Sequence, residues 1–93
     1  MNKKPYIPTD PVFFLETVLG CITTARGKVM KNLIQYEDTS VEYKRWESAL
    51  RILGKINSMI YRKQFSHSCA EKLVQFMNDP SNDLFLEELA ACA

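Results

Sequence analysis

One histidine, three glycines, four prolines and three cysteines are all that this 93-residue chain holds of the residues that most often break, staple or equip a fold. Each shortage excludes something. Zinc wants about four His, Cys or carboxylate ligands at workable spacing, and the chain has no Cys-x-x-Cys and no second histidine. The glycines stand alone at Gly20, Gly27 and Gly54, so there is no Gly-rich loop to cradle a phosphate. Neither a metal nor a cofactor is expected, nor is a small-molecule substrate. Charge of one sign is also scarce in excess: 12 basic and 11 acidic side chains leave a formal balance of +1. Bulk charge therefore argues neither for a nucleic-acid coat nor for an acidic mimic of one.

Three cysteines, Cys21, Cys69 and Cys92, are odd in number and far apart. A secreted scaffold of this size wants an even and dense set, so the expectation is three reduced thiols in a cytoplasmic protein. Cys92, beside Ala93, is the one best placed for a redox or intermolecular role. No run approaches the roughly 18 apolar residues of a membrane span. Val18-Leu19-Gly20-Cys21 faintly resembles a lipoprotein cleavage box behind Lys3 and Lys4. Pro5, Pro8, Asp10, Pro11 and Glu16 lie in the way, and no secretory apolar core tolerates them.

What is present is a helical pattern. Apolar residues make up 46% and charged residues 25%, an ordinary globular composition with room for one domain. Residues 1–9 read as an extended leader, because Pro5 and Pro8 fix φ and bias their predecessors away from the helix. Residues 10–93 read as a single helical domain. Thr9 or Asp10 caps a first helix predicted over 11–36, with Pro11 at its start. Leu15, Val18, Leu19, Ile22, Ala25 and Val29 carry its apolar stripe. Gly20 and Gly27 share a flank off that stripe and suggest a close neighbour or a bend. Thr39 with Glu42 reads as a capping box for a second helix over 40–64, and Ser68 with Glu71 as another for a third over 67–78. Asn78-Asp79-Pro80 stops the third, and a fourth is predicted over 81–91.

The predicted fold is therefore all-α: a long antiparallel helical hairpin with two shorter C-terminal helices packed along it, completed by dimerisation if the apolar surplus demands it. Such a surplus is expected. The apolar sector of helix two is wider than one neighbour can cover, and Phe13, Phe14 and Phe85 add to it.

Catalytic equipment is thin. Ser66-His67-Ser68-Cys69 holds the only histidine, but neighbours in sequence at a helix start do not face one another across a site. The helix start would lower the Cys69 pKa, which makes a reactive thiol the one catalytic alternative. A helix-turn-helix reading of the last two helices fails because Asp83, Glu87 and Glu88 would meet phosphates. A non-enzyme is expected.

Charge distribution says more. Residues 1–65 carry 11 basic and 6 acidic groups, net +5, and residues 66–93 carry 1 and 5, net −4. Lys44, Arg51, Lys55 and Arg62 fall on one face of helix two, a ridge about 27 Å long at 1.5 Å per residue. It could grip an acidic partner surface or phosphates, or simply be a solvated back face. Trp46 reads as core or, if exposed, as the leading partner-binding anchor. Arg26 and Asn57 interrupt the apolar faces and are candidates for fixing register at a helix–helix interface. The function expected from these features is stoichiometric binding to a larger protein, as inhibitor, adaptor or assembly factor. Nucleic-acid-backbone binding through the ridge is the alternative, and a structural homo-oligomer a further one.

Overall fold

Asp10 starts the first helix. Its backbone is extended, and its carboxylate accepts from the N–H groups of Val12 at 2.9 Å and Phe13 at 3.3 Å. Pro11 follows at the first helical position, where its missing N–H costs nothing. In this computed structural model, which describes residues 7–93, four helices follow in order: α1 (Pro11–Leu33), α2 (Val41–Tyr61), α3 (His67–Asn78) and α4 (Asp83–Ala90). No strand occurs among the described residues, and the all-helical expectation holds. Residues 1–6 of the expected leader lie outside the described residues.

The predicted ends overshoot. α1 closes at Leu33 rather than at Tyr36, through bonds from Gln35 N–H to Asn32 O and from Tyr36 N–H to Leu33 O. Ile34 is 75% exposed, so no buried contact repays a further turn. α2 begins at Val41 because Ser40, not Thr39, is its cap. The Ser40 hydroxyl accepts from Tyr43 N–H at 3.1 Å and donates to Glu37 O at 2.7 Å. α2 ends at Tyr61 rather than Gln64, in a Schellman turn: Lys63 N–H donates to Ile60 O and Gln64 N–H to Met59 O. Lys63 holds the left-handed position there, with φ 59°, where glycine is usual. α3 is capped by Ser66, whose hydroxyl accepts from Cys69 N–H, so the expected Ser68–Glu71 box is not the cap. Asn82 caps α4.

α1 and α2 pack as a long hairpin; α3 lies against α1, and α4 packs on α3 and reaches α2. The two short helices are thus folded on one another. The reversal is a tight turn with Pro80 in its second position, closed by Asn82 N–H to Asp79 O at 3.1 Å. α1 gives Val18, Ile22, Ala25, Val29 and Leu33 to the core, and α2 gives Trp46, Ala49, Leu53, Ile56 and Ile60. Ala70, Leu73 and Phe76 enter from α3, Leu89 from α4 and Phe65 from the α2–α3 loop. Each fully buried Leu, Ile or Phe contributes about 1.5–3 kcal/mol relative to exposure. Among the described residues no charged or polar residue is buried as a whole.

Three ties hold the short helices beyond this packing. The Lys28 ammonium, half-buried on α1, donates to Met77 O in the last turn of α3 at 2.8 Å, satisfying a carbonyl the helix leaves unpaired. Arg45 Nε donates to Asp83 Oδ1 at 2.8 Å, joining α2 to the start of α4. Cys69 and Cys92 form a disulfide, their Cα atoms 5.9 Å apart. That bond corrects the expectation of three reduced thiols and removes the argument from cysteine number to a reducing compartment. It also removes Cys69 as a nucleophile. Cys21 alone is free, and burial raises its thiol pKa.

Candidate functional site

The placement of α3 and α4 decides which flanks of the hairpin remain open. α3 covers the side of α1 that carries Phe14 and Lys28, as the stacking of Phe14 on His67 and the Lys28–Met77 bond show. The opposite flank of α1 carries Val12, Leu15, Leu19, Thr23, Arg26 and Met30 at helical spacing. Val12 is 62% exposed, and Leu15 and Met30 are exposed as well. On α2, Arg45 marks the side turned toward α4, and the other flank carries Tyr43, Leu50, Gly54, Asn57 and Tyr61. Because α1 and α2 are antiparallel neighbours, these two flanks converge on the outer side of the hairpin. Tyr61 there is 66% exposed, while Tyr43, Leu50 and Asn57 are half-buried.

Beside this apolar strip runs the predicted ridge. Lys44, Arg51, Lys55 and Arg62 are all exposed. Arg51 is held by Glu47 one turn earlier, Nη2 to Oε1 at 3.1 Å, an exposed pair that leaves most of its guanidinium in water. Arg26 is exposed on the α1 flank of the strip and Asn57 half-buried on its α2 flank, nearer the other end of the hairpin; both candidate register residues thus fall on the same side but at different heights.

Trp46 is different. It is only 5% exposed and belongs to the core, so it is not an exposed anchor, a correction to that reading. Its ring serves instead as the floor for Arg45, whose guanidinium carbon stands 4.5 Å from the ring centroid. Arg45 Nη1 and Nη2 are buried without a hydrogen-bond partner, which the ring face partly offsets. Sequence spacing gave no sign of this, since adjacent residues on a helix do not share a face.

The expected surplus of apolar surface exists, at Phe13 as predicted but otherwise in other places. α2's wide sector is largely covered, with Ile52 and Met59 half-buried against the core, as are Phe14 and Phe85. The uncovered groups are Val12, Phe13, Leu15 and Tyr61 at one end of the hairpin, Met30 farther along α1, Ile34, Tyr36 and Val41 at the hairpin loop, and Leu84 on α4.

At the first end an open pocket of about 410 Å³ is lined by Phe14, Leu15, Ile60, Phe65, Lys63 and His67 with Thr9 and Pro11. The His67 imidazole lies on Phe14, ring centroids 4.5 Å apart, and its Nε2–H donates to Pro8 O at 2.9 Å. That bond places the proton on Nε2 and ties the imidazole to the segment entering α1. Ser66 uses its hydroxyl as a cap, and Cys69 is bonded to Cys92.

The glycines pose a further question. Gly20, Gly27 and Gly54 are exposed, and a Cβ at any of them would meet nothing within 4 Å. No neighbour among the described residues requires them, although each weakens its helix by about 1 kcal/mol relative to Ala.

Among the described residues no group of three His, Cys, Asp or Glu gathers as a metal would need, and no helix is long and apolar enough to cross a membrane. Set beside known proteins, the chain matches no family, no curated protein and no solved structure.

Proposed function

We propose that this chain is a non-catalytic protein that acts by stoichiometric binding to a larger protein, as an inhibitor, adaptor or assembly factor. The observation that carries the reading is the uncovered apolar strip on the outer side of the α1–α2 hairpin, bordered by four exposed cations. Exposed apolar groups gathered beside a ridge of one charge are the usual makings of a protein interface. The test is affinity isolation of the tagged chain from its host at moderate salt, with nuclease present, followed by a mass measurement of what is retained. The reading expects one protein in fixed ratio. Retention of nothing, or of this chain alone, would overturn it. The reading places the chain in the cytoplasm, and quenching thiols at lysis reads whether Cys69 and Cys92 are joined there.

A second reading rests on the ridge itself: nucleic-acid-backbone binding through Lys44, Arg51, Lys55 and Arg62. Four phosphate contacts imply an affinity loss of about 10²-fold between 50 and 200 mM salt. Absence of binding to any duplex or single strand at 50 mM salt removes it.

A further inference from the structure

The geometry points to the occupant of the hairpin's outer side: an amphipathic helix of a partner protein whose apolar stripe is flanked by Asp and Glu. The inference rests on the stoichiometric-binder reading and says what kind of surface the partner brings. Val12, Leu15, Leu19 and Met30 on α1 and Leu50 and Tyr61 on α2 border the shallow trough between two antiparallel helices, with Thr23, Arg26 and Asn57 among them. A third helix laid in that trough packs its side-chain ridges into the existing grooves, the ordinary way helices associate. Leu15 belongs both to this trough and to the wall of the 410 Å³ pocket, so one large apolar side chain of the incoming helix can seat there. Gly54 sits on the floor's α2 flank with nothing within 4 Å of its missing Cβ, which leaves room for a close backbone approach.

Charge selects the occupant. The rim on the α2 side is Lys44, Arg51, Lys55 and Arg62, with Glu47 held by Arg51; Arg26 stands within the strip on α1, and Glu16 lies on the outer α1 edge. A helix with carboxylates along the edge that lies over α2 meets the four-cation ridge there and Arg26 beneath it. A second copy docked symmetrically with α2 over α2 would bring two cationic ridges together, and like charges oppose that arrangement. A second copy offering its acidic α4 instead would use a helix of only 8 residues, about 12 Å at 1.5 Å per residue, against a ridge more than twice that length. It would also leave its own trough open, a head-to-tail contact that does not close.

The test uses two synthetic 18-residue amphipathic helices with one Leu/Phe stripe, flanked by Glu in one and by Lys in the other, titrated against the full chain and its variants. The Glu-flanked peptide should bind at least tenfold tighter, and Arg51→Glu with Lys55→Glu should erase that preference. Gly54→Leu should raise the Tm of the free protein by a few degrees, since an open helical glycine is replaced, and weaken peptide binding about 30-fold or more by filling the trough. Equal affinity for the two peptides, no binding of either, or binding untouched by Gly54→Leu would overturn the inference. So would sedimentation showing a stable dimer that Gly54→Leu dissociates. If the peptides fail while one protein is still retained from the host, the docking helix falls and stoichiometric binding stands. If nothing is retained either, both fall.

Discussion

The α1–α2 hairpin and the α3–α4 pair solve the same problem by different means. The hairpin has two helices of 23 and 21 residues, which meet along most of their length and need little else. The pair has helices of 12 and 8 residues, too short to be stable by themselves, and it collects specific ties: the Lys28 ammonium on Met77 O, Arg45 on Asp83, and the Cys69–Cys92 disulfide. The charge divides the same way, basic in residues 1–65 and acidic after them. Length gives the hairpin a surplus of surface to offer a partner. The short pair, by covering one side of it, determines which side is offered.

The core should break this contrast most sharply, because it serves both regions. Phe76→Ala, removing the largest fully buried side chain, should cost about 3–5 kcal/mol in urea unfolding, with both regions lost in one transition. Reduction of the disulfide comes next. Closing a loop of 23 residues' separation contributes about 3 kcal/mol by chain entropy. Cys92→Ser should therefore lower stability by about that amount, and hydrogen exchange should rise in α4 ahead of α1 and α2. Equal loosening of all four helices would show that the pair does not depend on its staple more than the hairpin does.

Smaller effects sharpen the contrast. Lys28→Met leaves Met77 O without its ammonium partner and should cost about 1–2 kcal/mol, read as earlier thermal unfolding. In the hairpin, Lys63→Gly should gain about 0.5–1 kcal/mol by relieving the left-handed backbone at φ 59°. Cys21 gives the smallest effect. Burial raises its pKa, so the folded state holds the thiol proton more tightly than the unfolded one. Its contribution is full below the ordinary thiol pKa and is lost as pH climbs through the raised value. Cys21→Ala should flatten the fall in stability at alkaline pH, measured by Tm across that range.

Periodicity and capping chemistry made the helix count, the hairpin and the Asp10 start legible in sequence. The ridge was legible for the same reason, since Lys44, Arg51, Lys55 and Arg62 repeat at helical spacing. The boundary at Tyr36 was not, because an apolar pattern continues where burial does not; nor was that at Gln64, because Lys63 takes the left-handed position where a glycine would have marked the stop. Thr39–Glu42 and Ser68–Glu71 satisfy a spacing rule, yet Ser40 and Ser66 have the backbone geometry that lets a hydroxyl reach the exposed N–H. The Cys69–Cys92 pairing is set by how α4 folds onto α3, which spacing does not reveal. Nor could sequence say which flank of the hairpin stays uncovered, or that Trp46 lies beneath Arg45, because both follow from where the last two helices dock.

The bridge between Cys69 and Cys92 turns the end of the chain into a covalent ring that contains the turn at Pro80 and all of α4. A protease that nicks that ring once releases no fragment: the cut molecule keeps its mass, save one water gained, and travels as one band until a reductant is added.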